Sequence, residues 1–205
     1  MLFTATDTPN SIWQTLLHEL QRGSLDLKHP FRYLTLASTG KQFPQVRTVV
    51  LRQFTADLEF LVYTDVRSSK VQELLEAPRA SLLFYHPKKQ VQVRVKALAT
   101  IHVADERALE HWKRVSENRR VEYQSKLGPG TRIESPTVGW ESSSELAHFS
   151  VLKFSPLSIE VLQLAREGHV RIQFDLASGW QGAWLVPWGH KKSPEDFGTN
   201  EIWGF

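Results

Sequence analysis

Residues 90–103 restrict the fold more than any other segment. Val91, Val93, Val95 and Ala97 fall on one side of an extended chain, and Gln90, Gln92, Arg94 and Lys96 on the other. One face belongs to a core. The opposite face is polar and meets water or a polar ligand.

Other segments repeat the theme. Residues 32–38, 45–54, 58–64 and 80–85 carry β-branched and aromatic residues between turn residues, and strands resume at 149–154, 158–164, 169–176 and 180–186. Helical spacing is rarer. Asn10 and Ser11 can cap a helix over 11–22, with Pro9 outside it, Ile12, Leu16, Leu17 and Leu20 on its apolar face and Gly23 as the stop. Residues 24–31 read as a loop. Residues 65–77 change period, with Val71, Leu74 and Leu75 on the buried face of a helix that Pro78 ends. Residues 104–127 are charged and helical, with Leu109, Trp112 and Val115 as the buried stripe, until Gly128-Pro129-Gly130 breaks them. Residues 131–147 form a polar loop, and a Trp-rich tail, 187–205, carries Trp188, Phe197, Trp203 and Phe205. A parallel sheet would need helices between most strands. Their scarcity predicts a mostly β, antiparallel barrel with peripheral helices, one domain over 1–205 with its core at about 30–186.

Three short constellations carry chemistry. The first is Arg47-Thr48-Val49-Val50-Leu51-Arg52, a strand that places Arg47, Val49 and Leu51 on one side and Thr48, Val50 and Arg52 on the other. The bland alternative is a strand with solvated arginines. The second is Tyr63-Thr64-Asp65-Val66-Arg67-Ser68-Ser69-Lys70, a strand end opening into a helix. A helix N-terminus presents unpaired N–H groups and a positive dipole end, and hydroxyls and cations in its first turn suit a phosphate. Arg67 offers a fork and Lys70 a point charge. A simple cap at Thr64 or Asp65 is the bland reading. The third is the Gln90–Arg94 polar face, where a glutamine amide can both donate to and accept from a ring edge.

In this order, with a Pro78-Arg79-Ala80-Ser81-Leu82-Leu83-Phe84 strand between the second and third, the constellations resemble the FMN-binding split-barrel family of pyridoxamine phosphate oxidase and its relatives. The likeness is strong over about residues 30–103. It implies a split β-barrel homodimer with one FMN per site at the interface. It implies that Arg47 and Lys70 hold the FMN phosphate with Thr64, Ser68 and Ser69, that Thr48, Val49, Val50 and Leu51 run along the ring, and that Gln92 meets the ring edge. Tyr63 and Arg67 belong to the same cofactor motif, and Gln90 is the alternative to Gln92 if the register shifts. Arg52 stands where relatives carry a substrate-side Lys.

The sequence departs from the family pattern in the phosphate turn, beside the flavin and in the substrate motif. Ser69 stands where the oxidases have Arg, Gly128-Pro129-Gly130-Thr131 replaces a Gln-Ser-Ser segment, Leu162 replaces a Trp, and His169-Val170-Arg171 is the nearest approach to a closing Arg-x-His motif. The expectation is therefore a flavin oxidoreductase with an altered small-molecule substrate, and poor turnover of pyridoxamine phosphate itself. A non-catalytic FMN or haem binder and a cofactor-free barrel are the alternatives. No residue stands out as a general base, Ser142-Ser143-Ser144 has no nucleophile context, and the eight histidines lack metal-ligand spacing, so no metal is expected and each reads as a surface or interface residue. A net charge of +3 gives no argument for nucleic acid, and no apolar run reaches membrane-spanning length. With no cysteine and no signal-type start, a cytosolic location is the expectation.

Overall fold

The computed structural model describes residues 1–136, 148–166 and 168–187. Its strands are β1 (Tyr33–Thr39), β2 (Pro44–Val50), β3 (Gln53–Phe54), β4 (Phe60–Asp65), β5 (Arg79–His86), β6 (Val91–Val103), β7 (Phe149–Gln163), β8 (Val170–Asp175) and β9 (Gly182–Trp184). Its helices are α1 (Pro9–Leu25), α2 (Ser69–Glu76), α3 (Glu106–Lys113) and α4 (Glu117–Arg120). The strands form one antiparallel sheet ordered β2-β1-β5-β6-β7-β4-β3, with β8 and then β9 added beside β7.

β6 behaves as its alternation requires. Val91, Val93, Val95 and Ala97 are buried, while Gln92 is half-buried and Arg94 and Lys96 are exposed. β7 runs unbroken where two strands were expected. Pro156 lacks a ladder N–H, and a register shift between Lys96 and Ala97 of β6 absorbs the irregularity, so pairing continues on both sides. The first half of β7 pairs with β4 and the second half with β8. The long strand thus serves two parts of the curved sheet.

The expected 45–54 strand divides instead. Leu51 N–H donates to the Arg32 carbonyl beside β1, and Arg52 N–H donates to the Leu61 carbonyl of β4. The chain changes partners between these residues, which links the two ends of the strand path. The sheet curls around Leu36, Leu51, Phe60, Leu82, Phe84 and Phe154 without closing, a split barrel.

α1 lies against that core through Ile12, Leu16 and Leu20. Thr8, not Asn10 or Ser11, is its cap, accepting from Ser11 N–H, and Pro9 takes the first helical position. Gly23 does not stop the helix, which continues to Leu25. Its role is close approach: a Cβ there would lie 2.7 Å from Phe31 Cβ. α2 falls within the expected 65–77 segment; Val71 and Leu74 are buried as expected, and Leu75 is exposed instead.

A smaller core of Leu61, Val115, Tyr123, Phe149 and Val151 sits on the outer face of β4 and β7, beneath the α3–α4 segment. The expected stripe holds at Val115, which is buried, and at Trp112, which packs against this core, and fails at Leu109. Leu109 is exposed, whereas Ala108 and His111 are buried. Asp105 caps the helix by accepting from Ala108 N–H, and the His111 ring bonds the Tyr63 hydroxyl, so a satisfied polar side chain takes the inner position. Among the described residues no helix is long and apolar enough to cross a membrane. Ser142, Ser143 and Ser144, and Trp188, Phe197, Trp203 and Phe205 of the tail, lie outside the described residues.

Candidate functional site

The middle of β2, the end of β4 and the first turn of α2 bring much of the expected phosphate site together. Lys70 Nζ donates to Thr64 Oγ1 at 2.9 Å, and Thr64 Oγ1 lies 3.3 Å from Ser68 Oγ. Burial and the nearby Arg47 charge push the Lys70 ammonium below its ordinary pKa. Ser68 is the N-cap of α2, yet its side chain makes no cap hydrogen bond; it donates to the Asp65 carbonyl at 2.7 Å. Val71 N–H donates to the Ser68 carbonyl at 2.9 Å, which leaves the Ser69 and Lys70 amides, without a partner among the described residues, for an anion. Two cations, two hydroxyls and free helix N–H groups match the chemistry of a phosphate monoester. Ser69 is exposed at the rim.

Arg67 goes elsewhere. Its guanidinium forks onto Asp65 at 3.0 and 2.6 Å and donates to the carbonyls of Ser125 and Lys126 at 2.8 and 2.9 Å. It brackets the chain ahead of Gly128, where a Cβ would crowd the Arg67 side chain at 3.3 Å.

β2 ends the strand path, so the backbone groups along its outer edge have no strand partner among the described residues. Val49 and Leu51 are buried, and Thr48 and Val50 occupy the opposite face. A planar ring can lie along that edge and meet alternating N–H and C=O groups. Gln92 stands three strands away on β6, about 14 Å in strand spacings. It faces Leu162, which in turn faces Arg171, so the three form a row across β6, β7 and β8. Gln90 is not in that row: it lies in the preceding turn at φ 52. His169 accepts from Ala165 N–H at 3.1 Å in the β7–β8 turn, and Arg171 pairs with Glu160 at 3.1 Å.

Arg52 opens a second region. A cavity of about 450 Å³ is lined by Arg32, Arg52, Arg114 and Arg119 with Tyr63 and Tyr123, and by no acidic side chain. The Arg52 guanidinium lies 5.4 Å from the Tyr63 ring centroid, and its buried Nε has no hydrogen-bond partner among the described residues. Arg32 Nη1 donates to the Ser24 carbonyl at 2.6 Å, and burial together with the Arg52 charge pushes its pKa below the ordinary arginine value. Arg114 is tied to Glu110 and to Gln53. The Tyr63 hydroxyl lies 2.9 Å from His111 Nδ1; burial raises the phenol pKa and, with Arg114, lowers that of the imidazole. Clustered, incompletely paired arginines favour an anionic ligand. Sequence reasoning found Arg52 and missed Arg32, Arg114 and Arg119, whose spacing carries no signal of convergence.

The histidines also differ from expectation, since His29, His86 and His111 are buried. Glu19, His29 and His86 place potential metal-ligating atoms within 4.8 Å of one another. However, His29 Nδ1 accepts from Phe31 N–H and His86 Nδ1 from Lys89 N–H. In the neutral rings each Nε2 then carries the proton and offers no lone pair to a metal. Lys89 Nζ, 2.9 Å from Glu19 Oε2, supplies the cation instead.

Known proteins match this architecture. Residues 10–103 match the family described as pyridoxamine 5'-phosphate oxidase, FMN-binding domain. A pyridoxine/pyridoxamine 5'-phosphate oxidase of Zymomonas mobilis is 36% identical over 104 residues, 50% of this chain and 52% of that protein. One from Acinetobacter baumannii is 30% identical over 161 residues, 77% of this chain and 69% of that protein. The chain spans about half the length of the first curated relatives it matches, 52% and 45% for those of Zymomonas mobilis and Rhodopseudomonas palustris. A pyridoxamine 5'-phosphate oxidase-related, FMN-binding protein of Nostoc punctiforme shares the fold with a TM-score of 0.72 at 23% identity, covering 85% of this chain and 96% of its own. PhzG of Burkholderia lata, in complex with tetrahydrophenazine-1-carboxylic acid, does so at 0.71 and 18%, covering 91% and 98%. With its FMN-type domain matched, its split barrel shared and a phosphate-competent cluster at the start of α2, the chain belongs to the pyridoxamine 5'-phosphate oxidase family of FMN-binding proteins.

Proposed function

We propose that this protein is a homodimeric, FMN-dependent oxidoreductase acting on a small anionic substrate. The arginine-lined cavity carries this reading, because Arg52 joins it, through Leu51, to the β2 edge where the flavin ring would lie. Bound FMN supplies hydride acceptance, and the protein supplies binding, orientation and electrostatics. Arg47 and Lys70 would hold the FMN phosphate. Arg52, with Arg32 and Arg119, would receive the substrate's anionic group. His111 would hold the Tyr63 hydroxyl in place on the cavity wall. The carboxylic acid in complex with PhzG supports a cyclic organic carboxylate as the substrate class.

The row Gln92–Leu162–Arg171 is separated from β2 along the sheet by β1 and β5. A second copy would supply it, and exposed Tyr33, Val46 and Tyr85 give the sheet an apolar surface suited to such a contact. Light scattering should report a dimer, and a monomer that retains FMN would end this part of the proposal. The reading includes a cytosolic setting, which cell fractionation tests.

The visible spectrum of the purified protein should show flavin bands and no haem band. The FMN-loaded protein is then mixed without oxygen with pyridoxamine 5'-phosphate, tetrahydrophenazine-1-carboxylate and a reduced nicotinamide, and bleaching of the flavin is followed. Bleaching by an organic anion, with a higher substrate requirement in Arg52→Ala and Arg119→Ala, is the expected result. Tight FMN without bleaching by any of them would favour a carrier. Pyridoxamine 5'-phosphate itself should be a poor substrate, because His169 and Arg171 are already engaged within the chain. An efficiency of about 10⁴ M⁻¹s⁻¹ or more would refute that.

A further inference from the structure

Ser38 follows Leu34 and Leu36 on the inner face of β1, where alternation calls for another apolar residue, and it is buried. Its hydroxyl donates to Glu73 Oε2 and accepts from Arg47 Nη1. Glu73 Oε2 also accepts from Arg47 Nη2 at 2.7 Å. Side chains from β1, β2 and α2 thus close a small ring of hydrogen bonds. Glu73 lies one helical turn beyond Lys70, so a single carboxylate balances two neighbouring cations.

We propose that Glu73, acting with Ser38, is a positioning residue for the cofactor phosphate. It fixes one edge of the Arg47 guanidinium and leaves the other edge for phosphate oxygens. This rests on the reading of Arg47 and Lys70 as the phosphate site. The guanidinium is planar, with five N–H donors in fixed directions. Ser38 and the Gln45 carbonyl, at 3.4 Å, take Nη1, and Glu73 takes one hydrogen of Nη2. The Nε–H has no partner among the described residues. It shares an edge with the remaining Nη2–H, which is the forked pair that recognises phosphate. An arginine without the clamp would sample several rotamers and lose that freedom when FMN binds. The clamp removes this entropy before the ligand arrives.

Two alternatives make opposite predictions. A carboxylate that merely competed with phosphate would weaken FMN, so its removal would tighten binding. A carboxylate that acted only through charge would be lost equally in Glu73→Ala and Glu73→Gln. Under the positioning role, the glutamine carbonyl still accepts from Ser38 and Arg47, so Glu73→Gln is a rescue.

The test is titration of the apoprotein and its variants with FMN and with riboflavin, read by flavin fluorescence. Glu73→Ala should weaken FMN by about tenfold, the size expected for ordering one long side chain, and leave riboflavin unchanged. Glu73→Gln should recover most of that loss, and Ser38→Ala should shift FMN in the same direction as Glu73→Ala. Unchanged or tighter FMN in Glu73→Ala overturns the proposal, as does equal loss in the two Glu73 variants. Circular dichroism checks folding; if Glu73→Ala does not fold, Ser38→Ala decides, and unchanged FMN affinity there overturns the clamp. Arg47→Ala separates the two levels of inference. Selective loss of FMN keeps the phosphate site even if the clamp fails, whereas equal loss of FMN and riboflavin removes the phosphate site itself.

Discussion

Replacing Gln163 with leucine should destabilise the protein far more than a one-residue change at a strand end suggests. The Gln163 side chain is fully buried at the end of β7. Its Oε1 accepts from Leu2 N–H at 2.9 Å and Phe3 N–H at 3.1 Å. Its Nε2 donates to the carbonyls of Lys89 at 2.8 Å, Gln90 at 3.2 Å and Leu164 at 3.0 Å. One amide thus ties the N-terminal segment to the turn between β5 and β6. Leucine fills similar space but strands two amide donors, one of them on the buried Phe3. Each buried, unpaired N–H costs about 1–3 kcal/mol. The Gln90 carbonyl suffers less, since it keeps Leu164 N–H at 2.9 Å. Allowing about 1 kcal/mol back for the added apolar burial, the net loss is about 3 kcal/mol. For a chain of this length that lowers the melting temperature by about 10 °C. Thermal unfolding measures this, and limited proteolysis of the native protein should show earlier cleavage near Phe3. A variant that melts within about 2 °C of the parent, with its N-terminal segment equally protected, would refute the reasoning.

Three other outcomes follow from the same geometry. Arg47→Ala combined with Lys70→Ala removes two charge-assisted contacts of about 1.5–3 kcal/mol each, so FMN should weaken by about 10²–10⁴-fold while riboflavin does not; equal weakening in equilibrium dialysis would sink the phosphate assignment. Burial pushes His86 and His111 below their ordinary value of 6.5, so below that pH the unfolded chain binds more protons than the folded one. Stability contributed by these neutral rings should therefore fall as pH drops from about 6.5, and His86→Asn should flatten that limb in urea unfolding; an unchanged slope would argue against it. Gly23→Ala should lower the melting temperature, because its Cβ would lie 2.7 Å from Phe31 Cβ. Overpacking of that kind costs about 1–3 kcal/mol, more than the roughly 1 kcal/mol of helix propensity gained, so a raised melting temperature would contradict the observed contact.

Much of this protein is written locally in its sequence. The alternation of Val91, Val93, Val95 and Ala97 sets a half-buried strand, and the scarcity of helices between strands sets an antiparallel sheet. Thr64, Ser68 and Lys70 lie within two turns of chain, so spacing alone brings them to the start of α2. Other features have no local signature. Arg52 is legible in sequence as a charge after an apolar strand, but Arg32, Arg114 and Arg119 join it only because a turn, β4 and the α3–α4 segment converge. Periodicity placed Trp112 and Val115 against the core but also named Leu109, where Ala108 and His111, bonded to the Tyr63 hydroxyl, take the inner positions. Arg67 looked as suited to phosphate as Lys70, and the nearby Asp65 and the carbonyls of 125–126 decided its partner. Periodicity reports which face of an element is apolar, because that depends on backbone geometry along a few residues. The partner of a charged side chain depends on which other groups, near or far in sequence, the folded chain brings beside it, and only the tertiary structure settles that.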